Sequence, residues 1–391
     1  MDNYNITFYD LLSRALGDNT SSALQSFLDE AIARKYNALQ LDGFEFDPFM
    51  QDDFTFSQLI AEVGVNAAAQ YYDLDSPAIP DAAGVIKEYT GKIPRMKKVE
   101  YFNEDKLRKM LLMENRRDVS DDRIAEIAYE QLFITVDKLV GGHTNALTFQ
   151  RHQAISKGEF AINSTNNPNG IGGVKIDYHI PDANKTTLQG TARWWTSSTH
   201  TQGNEGSGSN PVNDLQTIVA KARKLGIRGH FEIEIDYLRE VLGHSKVTAA
   251  LGVALLPGAD ATVQANYAGI LDYERRKSTL EAIVGAPIKA IDSVTYFQKV
   301  DATTRKITTT PMTGFVKDVV VFVPDGTIGV VKTVRPVAIS GGVYGSFYDG
   351  RLLLTIGVDA VKKCQSYNTE MTSIVVPTAV NYFFYLYPNN A

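Results

Sequence analysis

A chain of 391 residues, 44% hydrophobic and 21% charged, has apolar surface for a substantial core, and this composition excludes general disorder. Its formal net charge of −6 makes it a poor non-specific ligand for nucleic acid, because phosphate contacts need clustered Lys and Arg. A single cysteine, Cys364, excludes a disulfide framework within the chain and reads as a small packed side chain. No run of about eighteen apolar residues is present to span a membrane, and Met1-Asp2-Asn3-Tyr4 lacks the start of a signal peptide. The expectation is a chain made and kept in a cytoplasm.

Residues 1 to about 66 carry 11 acids against 3 bases. Leu24, Phe27, Leu28, Ala31 and Ile32 recur at helical spacing after the hydroxyls of Thr20 to Ser22. Phe44, Phe46, Phe49, Phe54 and Phe56 follow without helical periodicity. Such a stretch cannot cover five rings by itself and reads as an arm that docks them elsewhere. A turn-rich passage, Asp75 to Pro80, leads to Lys87–Arg117, where 10 bases face 5 acids.

Ser120, with Asp121 and Asp122 behind it, predicts a helix start. Ile124, Ile127, Ala128, Leu132, Val136, Leu139 and Val140 mark its apolar stripe. Gly141-Gly142 predicts a break or kink, with helix resuming from Thr144 to Ser156 and ending near Gly158. Strand patterns follow at Val174 to Tyr178, Thr186 to Leu188 and Ala192 to Trp194. The polar stretch Thr196–Asn210 lacks an apolar anchor and predicts an exposed, mobile loop. Asn210-Pro211 opens a helix whose face is Leu215, Ile218, Val219, Ala222 and Leu225, with Gly226 at its end. Phe231, Ile233 and Ile235 alternate with Glu232 and Glu234. Leu238 to Leu251 reads as helical with a break at Gly243. Val319–Val323, a Pro324-Asp325-Gly326 turn and Ile328–Val331 predict a hairpin. Val380 to Leu386 reads as a buried strand.

Motifs for chemistry are sparse. Gly170-Ile171-Gly172-Gly173 and Gly206-Ser207-Gly208 lack the Lys-Ser/Thr of a phosphate loop. His143, His152, His179, His200, His230 and His244 include no pair at metalloprotease spacing, and one cysteine cannot build a thiolate cluster. Gly-x-Ser-x-Gly is absent, and Asp52-Asp53 and Asp121-Asp122 read as solvated or capping acids. Neither catalysis, nor a cofactor, nor a metal is expected. The basic run with Tyr89, Tyr101 and Phe102 nearby has the look of a nucleic-acid patch, but interleaved acids favour a protein contact.

Three segments carry a resemblance. Gln153-Ala154-Ile155-Ser156-Lys157-Gly158 closes the long helical region. Trp194 is followed by Asn210-Pro211-Val212-Asn213-Asp214-Leu215, and Phe322-Val323-Pro324-Asp325-Gly326-Thr327 comes later. In this order they resemble the helix end, the "Trp … Asn-Pro-x-x-Asp-Leu" step and the "Pro-Asp-Gly" turn of lambda-type major capsid proteins (capsid protein E) of tailed phages, over about residues 60–391. The resemblance implies an α+β fold of the Hong Kong ninety-seven type. Its layout would be an N-terminal arm at 1–66, an extended loop at 67–112, and a peripheral domain with spine helix and sheet at 113–209. An axial domain would follow at 210–290, a return to the peripheral domain at 291–340, and axial C-terminal strands at 341–391. It also implies self-assembly as hexamers and pentamers into an icosahedral shell of the virion. Portal and scaffolding proteins are expected partners, a decoration protein is an open one, and double-stranded DNA would be packaged without specific binding.

Two other readings stay open: a bacterial nanocompartment subunit on the same fold, and an enzyme with dispersed catalytic residues. Under the shell reading the charge reversal between arm and extended loop steers subunit docking. Lys92, Arg95, Lys97 and Lys98 would be its bases, held by Ile93 and Val99, and Phe44, Phe46 and Phe49 its aromatic contacts.

Overall fold

The computed structural model describes residues 41–61, 86–102, 121–168, 172–300, 306–337, 343–359 and 364–389, with isolated positions at 105, 108, 109 and 112. The helix expected at Leu24–Ile32, the turn at Asp75–Pro80, the Ser120 cap and Gly170-Ile171 lie outside them, as do the side chains of Ile124, Ile127, Ala128, Leu132 and Cys364.

In chain order the strands are β1 (Phe44–Phe46), β2 (Thr55–Ala61), β3 (Ile86–Lys92) and β4 (Arg95–Phe102), followed by the long helix α1 (Asp121–Lys157). Then come β5 (Glu159–Ile162), β6 (Val174–Asp177), β7 (Lys185–Thr187), α2 (Pro211–Lys224) and β8 (Gly229–Glu234). Four helices follow: α3 (Ile235–Gly243), α4 (Ser245–Leu255), α5 (Ala261–Ile270) and α6 (Tyr273–Val284). The remainder is β9 (Ile288–Ile291), β10 (Val294–Val300), β11 (Ile307–Thr313), β12 (Val320–Pro324), β13 (Gly329–Thr333), β14 (Val343–Phe347), β15 (Leu352–Asp359), β16 (Cys364–Pro377) and β17 (Phe384–Tyr387). The class is α+β, as the sequence reading has it.

Two compact units emerge, one from residues within 1–56, 92–148 and 330–375, the other from 57–91, 149–329 and 376–391. In the first, β1, β13, β16, β15 and β14 form a sheet in that order, with β4 added against β16. Val136, Leu139, Val140, His143 and Leu147 of α1 are buried, spaced as one helix face requires. The helix is continuous through Gly141-Gly142, against the expected break. The reason is a close approach. A Cβ on Gly142 would stand 2.5 Å from the Lys98 Nζ and 2.7 Å from its Cδ, so the glycine leaves room for that lysine, whose flexible end would otherwise have to shift. Neighbouring turns supply enough packing to outweigh glycine's poor helix propensity.

In the second unit, β7, β17, β12, β8 and β9 form a sheet in that order. Helices α2, α3, α4 and α6 pack a shared core whose fully buried members include Leu215, Phe231, Tyr237, Leu251 and Leu280. Each such aliphatic side chain contributes about 1.5–3 kcal/mol through apolar burial. Leu225, expected on the buried face of α2, is exposed because it is the C-cap residue, past the last buried position, Ala222.

Other expectations need correction. Ala192–Trp194 is not strand: Gly190–Ala192 is a 3-10 turn. The stretch around Pro324-Asp325-Gly326 joins strands of different sheets instead of forming a hairpin. β12 already has β8 and β17 on its two sides, and β13 has β1 and β16, so neither has an edge left for the other. Val380–Tyr382 is a 3-10 turn, and the strand begins at Phe384.

The polar loop after Trp195 is pinned, although many of its side chains are exposed. The Thr196 N–H donates to the Asn204 carbonyl at 2.8 Å, and Trp195 bridges Glu205. The Glu205 carboxylate accepts from the Ser245 N–H at 2.7 Å, and Gln202 donates to the Gly243 carbonyl at 3.0 Å. Its anchors are hydrogen bonds and an imidazole, which a search for aliphatic residues overlooks.

Candidate assembly surfaces and the motif residues

The strand β4 alternates with period two, as strand geometry demands. Arg95, Lys97, Val99 and Tyr101 face outward, while Met96, Lys98 and Glu100 are half-buried. Val99 is therefore exposed, where the sequence expects an anchor, whereas Ile93 is buried as expected. On the open face, Glu370 of β16 accepts from Arg95 and Lys97, both at 3.1 Å. One residue on, Lys98 turns to the helix face. Its Nζ donates to the Lys138 carbonyl of α1 at 2.7 Å. Burial, and then the Lys138 charge, push its ammonium below the usual lysine range. Beside it His143 shares a 3.0 Å hydrogen bond with the Thr369 hydroxyl, and burial, with Lys98 second, pushes it down to about 4. Lys92 is exposed.

The aromatic contacts divide as well. Phe44 is buried, in a strand paired with β13. Phe46 lies 5.3 Å from the Tyr348 ring, and the Arg351 guanidinium sits 4.9 Å over it. Arg351 also donates to the Asp47 carbonyl at 2.8 Å, clamping this part of the segment. Phe49 stands 82% exposed, and Phe54, under Arg95, is 45% exposed. Phe56 is buried. The five rings are thus not all covered.

In the second unit, exposed apolar side chains gather on α4 and α5 (Val253, Val263, Tyr267 and Ile270) and on the antiparallel pair β10–β11 (Val294, Tyr296 and Ile307). Sequence patterning gave no sign of these.

The three motif segments each close a local step of the fold. Gly158 ends α1 at φ +68, its N–H donating to the Ala154 carbonyl at 3.1 Å, and a Cβ there would meet Ile180 at 2.5 Å. The Gln153 side chain accepts from the Ala161 N–H at 3.3 Å and ties the helix end to β5. The Trp194 indole N–H donates to the Asp214 carboxylate at 2.8 Å, while the Asn210 side chain caps α2 through the Asn213 N–H at 3.3 Å. Burial raises the Asp214 carboxyl, and the indole bond partly offsets it. The Asp325 N–H donates to the Arg228 carbonyl at 3.0 Å, fastening the turn after β12.

Two arrangements had no sequence signal. Glu232 on β8 is fully buried and receives two bonds from the equally buried Arg151 guanidinium, at 2.5 and 3.0 Å. Burial alone would raise its carboxyl, but the Arg151 charge and the His230 and Arg151 bonds outweigh that and hold it at about 2. His200, Glu240 and Asp318 also converge, from positions too distant for spacing to reveal.

No family model and no curated protein matches the chain. Among solved structures it is similar to a phage-related protein of Bordetella bronchiseptica RB50, at 13% identity over 96% of this chain and 95% of that one, with a TM-score of 0.45. It is similar to the capsid of cyanophage P-SCSP1u at 9% identity, over 91% and 89%, with a TM-score of 0.44. The mature capsid of bacteriophage PhiM1 shares 10% identity over 90% of each chain, with a TM-score of 0.42. Among the described residues no helix is long and apolar enough to cross a membrane.

Proposed function

We propose that the chain is a major capsid subunit of the tailed-phage type, a shell-forming protein with no catalytic role. The observation that carries this reading is the coincidence of motif and structural step. The segments behind the resemblance form a glycine-ended long helix, an indole–carboxylate clasp beside a capped helix, and a fastened turn after a buried strand. Under this reading α1 is the spine of the peripheral domain, residues 67–112 the extended loop and 210–290 the axial domain. The exposed apolar residues that gather on α4 and α5 and on the β10–β11 pair support burial against further copies.

Because Phe44, Phe46 and Lys98 have partners inside their own unit, and Arg95 and Lys97 share Glu370 there, the reading assigns subunit contact foremost to the exposed Phe49 and Lys92. Electron microscopy and analytical ultracentrifugation of the purified chain test it. Hexamers, pentamers, tubes or shells are expected, and a clean monomer at high concentration in assembly buffer would sink it. Phe49→Ser should slow assembly while leaving the melting midpoint of the unassembled chain unchanged.

A further inference from the structure

We propose that His200, Glu240 and Asp318 form a binding site for one divalent transition-metal ion of the zinc class, which staples the loop after Trp195 to α3 and to the approach to β12. All three lie within the second unit, and each offers a ligand atom within 4.8 Å of the others. The His200 Nδ1 is 2.8 Å from a Glu240 oxygen and 3.5 Å from the Asp318 Oδ1. A tetrahedral ion with bonds of about 2.0–2.2 Å spaces its ligand atoms roughly 3.3–3.6 Å apart, so small side-chain shifts complete the geometry.

Independent features point the same way. The Asp318 Oδ1 is buried and has no hydrogen-bond partner, a state that a carboxylate oxygen seldom keeps. Asp318 also holds a left-handed backbone at φ 65, a costly conformation that clusters at ligand clamps. The His200 side chain is 4% exposed, stacked on Trp195 at 5.4 Å and edged by Tyr237 at 5.7 Å, which fixes the ring plane. On the far side of Glu240, its other oxygen accepts from Lys317 at 2.8 Å, an outer contact that orients the carboxylate. Asp318 remains 41% exposed and gives an ion a way in.

The donor set selects the class of ion. An imidazole nitrogen with two carboxylates suits zinc, cobalt or manganese, whereas calcium and magnesium prefer all-oxygen shells. Coordination through Nδ1 leaves the imidazole hydrogen on Nε2, so a proton at Nδ1 moves there or leaves to solvent as the ion enters.

The full-length chain, stripped with EDTA and dialysed, is titrated with zinc chloride by calorimetry in a non-coordinating buffer. One ion per chain is expected, and the melting midpoint should rise with zinc concentration. His200→Asn and Asp318→Asn should each weaken binding by about tenfold or more. Magnesium and calcium at equal concentration should not displace the zinc. Absence of stoichiometric binding, or parent-like affinity in both variants, overturns the proposal and leaves a hydrogen-bonded cluster. Should the variants misfold, X-ray absorption of the zinc-loaded parent decides: imidazole and carboxylate scattering supports the site, and a spectrum without imidazole overturns it. None of these readouts depends on shell assembly, so the outcome is separate from that of the capsid reading.

Discussion

Arg151 with Glu232, and Arg95 and Lys97 with Glu370, are similar in composition and opposite in consequence. The first pair is sealed in the second unit, with side chains 3% and 0% exposed. The second group stands on an open strand face, with Lys97 61% exposed. Near water the Coulomb gain is small and salt-screened, so an exposed pair contributes about 0.2–1 kcal/mol. Buried charges lose hydration, and each becomes intolerable without the other. Lys98 lies between the extremes, half-buried, with a backbone carbonyl instead of a carboxylate as its acceptor. Burial, more than the identity of the paired groups, sets what each contact is worth.

The strongest way to break this contrast is Glu232→Gln, which leaves Arg151 buried without its countercharge. It should cost about 3–5 kcal/mol in chemical denaturation. Arg151→Met combined with Glu232→Leu should recover much of that, and failure to recover would mean that the pair stabilises beyond mutual neutralisation. The Glu232 value when folded, about 2, lies below its ordinary 4.5. Its contribution is therefore full above about pH 4.5 and lost as pH falls toward about 2.

His143 sharpens the half-buried case. Its folded value of about 4 lies below the ordinary 6.5, so between these the folded chain binds fewer protons than the unfolded one. Its share of stability is full above about pH 6.5 and falls as pH drops through that window. His143→Gln should flatten this part of the stability–pH curve, and an unchanged curve would contradict the buried, neutral imidazole.

A smaller effect separates helix propensity from close approach. Gly142→Ala should change stability little, because the gain in helix propensity of about 1 kcal/mol is offset by displacing Lys98. In a Lys98→Ala background the same substitution should stabilise by about 1 kcal/mol. Additive behaviour in this double-mutant cycle would rule out the contact. Smallest of all, Glu370→Gln should cost under about 1 kcal/mol at low salt and nothing measurable in 1 M salt, where the Debye length is about 3 Å.

Much was legible where the signal is local. Asn210-Pro211 gave the start of α2, Gly158 the end of α1, and the pause near Gly243 the division between α3 and α4, where the His244 Nδ1 accepts from the Lys246 N–H at 3.1 Å. Such signals depend on capping and backbone freedom within a few residues. Legibility failed where the partner is remote. Gly142 read as a helix breaker because nothing nearby in sequence reveals Lys98. Pro324-Asp325-Gly326 read as a hairpin because turn chemistry does not tell which strands are already paired.

The sequence by itself determined the mixture of helices and strands, the apolar face of α2 and that of α1 from Val136 to Val140, and the motif order behind the capsid resemblance. Periodicity, caps and turns suffice for these because each is a short-range constraint. Only the tertiary structure decided that adjacent Lys97 and Lys98 meet different environments, that Arg151 neutralises Glu232, and that His200, Glu240 and Asp318 converge. The partners in these contacts are separated by tens to hundreds of residues, and their energies depend on burial. Burial is a property of the folded surroundings, which no stretch of chain carries alone.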